Sequence, residues 1–180
     1  MTAKTYSTYL YKDIPQERFL SVAYLHAKQQ GTILLHSAQS QGMSLLFLHP
    51  YETLRISKQQ AKSTWKLLES FLGPLNANND IPFCAGYLSY DLATYCDERL
   101  TSNQFLLPEE VACFQKSSLI LTYDHSTHNL HVYVEKKWES IQKKKCNDYL
   151  NQLIFNTTTI DFSWTPPSLK LVEQSDSYQS

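Results

Sequence analysis

The sequence predicts an α+β domain: an antiparallel, sandwich-like β-sheet with helices flanking its outer faces. Apolar runs of strand length outnumber helical stretches, and most are joined by short loops. One pair of runs, residues 111–124 and 130–135, closes on the polar tip HSTHN. Short connections suit antiparallel neighbours, whereas parallel strands need long crossovers. A five-residue polar tip has the length of a hairpin loop.

The elements follow in order. Residues 5–11 alternate loosely and predict a strand. Asp13 is placed to cap a helix running to about residue 30, with Pro15 tolerated in its first turn. Phe19, Val22, Ala23 and His26 share one face of that helix, and Gly31 ends it. Two short strands, residues 32–36 and 45–49, are separated by the turn-forming AQSQG, and residues 53–57 add a third. Residues 58–72 give the strongest helical pattern, with Ala61, Trp65, Leu68 and Phe71 or Leu72 at helical spacing before Gly73-Pro74. The Asn-rich residues 75–80 predict a loop, residues 83–90 a strand, residues 92–99 a short helix or turn, and residues 100–108 a loop. A third helix is expected over about residues 137–155.

At 180 residues the chain is long enough to bury a core without staples. Residues 1–155 form one domain, and the polar, proline-bearing residues 156–180 are expected to be a linker or arm leading toward a further region. The formal net charge of −1, with Lys143 to Lys145 as the basic run, argues against nucleic-acid binding, which depends on Lys and Arg meeting phosphate. Cys84, Cys96, Cys113 and Cys146 form neither a CxxC pair nor a disulfide ladder, and fit reduced thiols in a cytoplasmic protein. No run of about 18 apolar residues is present to span a bilayer.

Several polar residues invite a chemical role and each has a plainer one. Asp91 suits a cap accepting backbone N–H bonds after the strand. His125, His128 and His131 would diverge on a hairpin rather than converge on a metal. Ser89, Asp124 and His125 compose a hydrolase triad on paper, without the nucleophile elbow that such chemistry uses.

The succession LLHSA at residues 34–38, HPYETL at 49–54, IPF at 81–83, GYLSYDL at 86–92, LPE at 107–109 and LTYDHSTHNLHV at 121–132 resembles the N-terminal region of aminodeoxychorismate synthase component I (para-aminobenzoate synthase component I). Anthranilate synthase component I is the close relative, and the likeness runs from about Tyr6 to the tail. It implies a region that packs against a larger chorismate-binding part, with a glutamine amidotransferase partner supplying ammonia for folate biosynthesis. Mg2+ is the family cofactor and belongs to that catalytic part, whose motifs are absent here. No catalytic residue and no metal ligand is therefore expected in this chain.

What the resemblance places in this region is a buried tryptophan pocket, with Ser37 at the position of the family's ligand-binding serine. Ser44, Tyr87 and Tyr90 complete the candidate site. Gly42-Met43-Ser44 stands where the family usually has an Arg-Tyr-Ser triplet, and Cys84-Ala85 precedes Gly86 where it usually has a Gly-Gly pair. Tyr87 and Tyr90 also fit core aromatics with a hydroxyl at the rim. Two other roles follow from the same residues: a stand-alone module binding tryptophan or another amino acid, or an inactive truncated fragment.

Overall fold

Two fifteen-residue strands, β3 (Met43–Ser57) and β5 (Glu110–Asp124), pair antiparallel along nearly their whole length and form the spine of the molecule. The computed structural model describes residues 6–27, 29–37, 42–73, 81–90, 92–93, 109–140, 144, 148 and 151. Around the spine lie β1 (Tyr6–Tyr11), α1 (Gln16–Ala27), β2 (Ile33–Leu35), α2 (Thr64–Leu72), β4 (Cys84–Leu88) and β6 (Asn129–Glu135). The sheet order is β1-β6-β5-β3-β2, with β4 pairing β5 off this path, and every pairing is antiparallel.

The free edge of β5 is divided between two partners. β6 takes Leu119 to Asp124, and β4 takes Ala112 to Lys116. Fifteen residues of extended chain reach roughly 50 Å, more than either short strand can cover. Gly86 lets β4 lie against β5: a methyl group there would run into the Cys113 carbonyl and sit 2.6 Å from Phe114 Cα.

The expected strands over 45–49 and 53–57 are one strand, because the Pro50 interruption is absorbed as a bulge. The register shifts between Pro50 and Glu52, which leaves Tyr51 as the extra residue, and His49 before it adopts φ 53°. Proline has no N–H for a ladder, and bulges are where strands accommodate it. The bulge also reverses which residues of β3 face which way. Leu46 and Leu48 join Phe19, Val22 and Ala23 of α1 in one core, with Leu119, Leu121, Tyr123, Leu130, Val132 and Val134. Leu54 and Ile56, also even-numbered, pack instead with Ala61, Leu67, Ala112 and Phe114 on the opposite face. Alternation along β5 makes the reversal visible, since Leu119 and Leu121 are odd-numbered and Ala112 and Phe114 even.

Phe19, Val22, Ala23 and His26 are the buried face of α1, as their spacing predicts. Asp13 is not its cap: it sits in a left-handed turn (φ 57°) ahead of the helix, while the Pro15 carbonyl accepts the N–H groups of Arg18 and Phe19. That turn pins Ile14, whose N–H donates to the His128 carbonyl and whose own carbonyl accepts from the Tyr123 hydroxyl at 2.8 Å. Gly31, at φ 81°, follows the helix, and a side chain there would meet Pro50 Cγ at 2.5 Å.

The single helix expected over 58–72 is a 3-10 segment (Lys58–Ser63) followed by α2. Gln60 starts it by accepting the N–H of Ser57 at 3.2 Å. Thr64 turns its hydroxyl onto the Ala61 carbonyl at 2.7 Å where the two meet. The buried stripe is Ala61, Thr64 and Phe71, while Trp65 is 59% exposed. Changing helical type at residue 64 rotates Trp65 off the inward face. Gly73 ends α2 with φ 71°. Residues 139, 140, 144, 148 and 151 are helical, in agreement with a third helix, while the expectations for residues 75–80, 94–108 and 156–180 fall outside the described residues. No helix among the described residues is long and apolar enough to cross a membrane.

Candidate functional site

At one end of the spine the β2–β3 connection and the β5–β6 turn meet. Met43 and Ser44 pair with Asp124 and Tyr123, and the His125 N–H donates to the Gly42 carbonyl at 3.0 Å. This brings Ser37 beside Gly42, where an added Cβ would come within 3.0 Å of the Ser37 hydroxyl. Gly42 has φ 122°, a conformation open to glycine.

The fully buried Ser44 is the hub. Its Oγ lies 2.7 Å from His125 Nε2, 2.9 Å from His36 Nδ1 and 3.2 Å from the Ser37 N–H. A hydroxyl has one proton and two lone pairs. Ser37 N–H donates to it, so one histidine must donate as well and the other must accept the Ser44 proton. All three bonds are satisfied inside the protein. His125, 4% exposed, leaves its Nδ1 buried without a partner among the described residues. Burial first, and the neighbouring His36 second, hold His125 below its ordinary pKa. An imidazolium would need an acceptor at Nδ1 that the site does not provide.

Tyr123 walls the cluster. Its ring meets His125 edge-on at 5.0 Å and stacks on Phe19 at 4.8 Å, within 9° of parallel. Its hydroxyl donates to Ile14, so the Nδ1 of His128, 2.9 Å away, must be the donor to the phenol oxygen.

Of the four candidate residues, the structure brings together Ser37 and Ser44. Tyr87 pairs with Cys113 of β5 and Ser44 with Tyr123, ten positions further along, since 123 − 113 = 10. An extended strand covers roughly 30 Å in that interval. Tyr87 is 51% exposed and Tyr90 fully exposed, so neither is a core aromatic and neither reaches the Ser44 cluster. Asp91 lies outside the described residues.

The three hairpin histidines diverge: His125 turns to Ser44, His128 to Tyr123, and His131 stacks on Tyr133. The paper triad is not assembled. The Asp124 carboxylate accepts from the Ser126 N–H and hydroxyl and from the Thr127 hydroxyl, bonds that lower its pKa to about 2. Ser89 is anchored by its N–H to the Val111 carbonyl, at the other end of β5. With Ser44 enclosed and no carboxylate among the described residues bonded to His125, the cluster is suited to donating and accepting hydrogen bonds and not to nucleophilic attack.

His36 and His125 are the site residues that the sequence did not single out together. His36 lies inside LLHS and His125 opens the hairpin tip, but their meeting depends on the β3–β5 register. No group of three or more His, Cys, Asp or Glu side chains among the described residues is placed to hold a metal ion. No protein-family model matches the chain, and no curated protein matches it.

Proposed function

We propose that this chain is the N-terminal domain of a chorismate-aminating enzyme of the aminodeoxychorismate synthase component I type, working in folate biosynthesis. The reading rests on the ordered motif series from LLHS to the hairpin. The observation that supports it best is that Ser37, at the end of LLHS, converges with the buried Ser44 on one polar cluster. A strand-end serine beside backbone donors is suited to the charged groups of an amino acid such as tryptophan. Catalysis in this reading resides on a chorismate-binding part that holds Mg2+, fed by a glutamine amidotransferase, and this chain contributes the packing surface and the pocket.

Because the Ser44 hydrogen bonds are all made internally, tryptophan would have to displace His36 or His125 from Ser44. Calorimetry with tryptophan on the purified chain is expected to give a saturable heat that Ser37→Ala reduces. Mixing the chain with a chorismate-binding polypeptide and an amidotransferase is expected to give amination dependent on all three. The absence of both co-elution and amination in that mixture would remove the enzyme reading, and heat without amination would leave the amino-acid-binding module.

A further inference from the structure

On the sheet face away from α1, a second cluster gathers four unsatisfied polar atoms. Tyr6 and Glu135 face each other across the β1–β6 register. The bulged Tyr51 and Trp138, just after β6, set their rings 5.9 Å apart. The hydroxyls of Tyr6 and Tyr51, Oε2 of Glu135 and the indole nitrogen of Trp138 are all buried without a hydrogen-bond partner among the described residues. Glu135 is 5% exposed, so its carboxylate needs a cation close by.

That cation is Lys137. Its Nζ lies 3.3 Å from Glu135 Oε1, 4.2 Å from the centre of the Tyr51 ring and 5.7 Å from that of Trp138. A carboxylate and aromatic faces around one ammonium is an arrangement that favours cations. The fit is incomplete, however. An ammonium has three N–H donors, and Lys137 reaches one carboxylate oxygen at long range, while the Tyr51 hydroxyl approaches the Glu135 carboxylate without closing a full hydrogen bond. Lys137 sits two positions after Glu135, so its tether limits how deep the ammonium can go, and its side chain stays 55% exposed. Burial first, and Glu135 second, raise both phenols well above their ordinary pKa, in keeping with neutral hydroxyls facing a carboxylate.

We propose that Tyr6, Tyr51, Glu135 and Trp138 form a binding seat for the primary ammonium of an alkylamine ligand, with the Lys137 side chain as an exchangeable occupant. An untethered ammonium can enter further, donating to Oε2 and the phenol oxygens while keeping the ring contacts. The ligand class is an alkylamine without an adjoining carboxylate, because the carboxylates that act on the Tyr51 phenol are Glu135 and Glu52, and neither would tolerate a second anion.

The test compares thermal unfolding of the wild-type chain, Lys137→Met and the double variant Lys137→Met/Glu135→Gln, each in ethylammonium chloride and in equimolar sodium chloride. Lys137→Met is expected to unfold at lower temperature in sodium chloride and to recover at least half of the loss in ethylammonium. Tetraethylammonium, too bulky and without N–H donors, is expected not to restore it, and the double variant is expected to ignore ethylammonium. A single variant indifferent to ethylammonium, or a double variant that gains as much from it, would overturn the proposal. Saturation-transfer NMR on the wild-type chain is independent of how Lys137→Met folds. Transfer to ethylammonium that Glu135→Gln removes supports the seat, and no transfer at large excess overturns it.

Discussion

Ser44 Oγ lies 2.7 Å from His125 Nε2 across 81 positions of sequence, and the same oxygen serves His36 and the Ser37 N–H. Removing it leaves three polar groups unserved, each costing about 1–3 kcal/mol when buried, with partial relief where solvent reaches His36 and Ser37. Ser44→Ala is expected to lower stability by about 2–3 kcal/mol, read from denaturant midpoints at unchanged slope. A loss below about 0.5 kcal/mol would mean that the cluster finds other partners.

His125 gives the cluster a pH dependence. Its pKa is lowered in the folded chain, so below the ordinary value of 6.5 the unfolded chain binds the proton more readily. Its contribution to stability is complete above pH 6.5 and declines as the pH falls through and below that value. Unfolding at pH 7.5 and 5.5 should show the decline, and His125→Gln should flatten it. An equally steep decline in the variant would assign it to other groups.

Gly86→Ala tests the close approach of β4. The added methyl would meet backbone on β5, the Cys113 carbonyl and Phe114 Cα, and neither can rotate away. A loss of about 3 kcal/mol or more, or failure to fold, is expected. Hydrogen exchange of a surviving variant should be fastest at the β4–β5 ladder.

Lys116 is 6% exposed, paired with Glu52 at 2.8 Å and held 4.2 Å above the Phe71 ring. Glu52→Ala leaves that ammonium with the ring alone. Since the Glu52 side chain is 49% exposed, solvent limits the cost to about 1–2 kcal/mol. Lys116→Met keeps the contact with Phe71 and removes the charge, so it is expected to cost less than Glu52→Ala. The opposite order in thermal melts would contradict this account.

The antiparallel sheet and α1 were legible because alternation and the Phe19–Val22–Ala23–His26 spacing are local signals. Trp65 misled because a 3-10 segment and an α-helix share their apolar residues but differ in turn angle, and nothing local marks the change at Thr64. Pro50 hid the continuity of β3 for a related reason: in isolation it ends a strand, and only the facing β5 makes it a bulge. At the site, Ser37 and Ser44 are neighbours in sequence and neighbours in space. Tyr87 joined them on resemblance, and the division of the β5 edge between β6 and β4 sets it apart. His125 reaches Ser44 through long-range register, which periodicity along the chain does not carry.

The surplus residue at Tyr51 makes chain length between residues 48 and 54 a structural quantity in its own right. Deleting Tyr51 would make Pro50 and Glu52 consecutive partners of Ser117 and Lys116, so the ladder runs on without a bulge and Leu54 and Ile56 keep the α2 side. A chain shortened by that one amino acid should therefore keep residues 52–56 paired with β5 and lose little beyond what Tyr51→Ala loses, the ring itself.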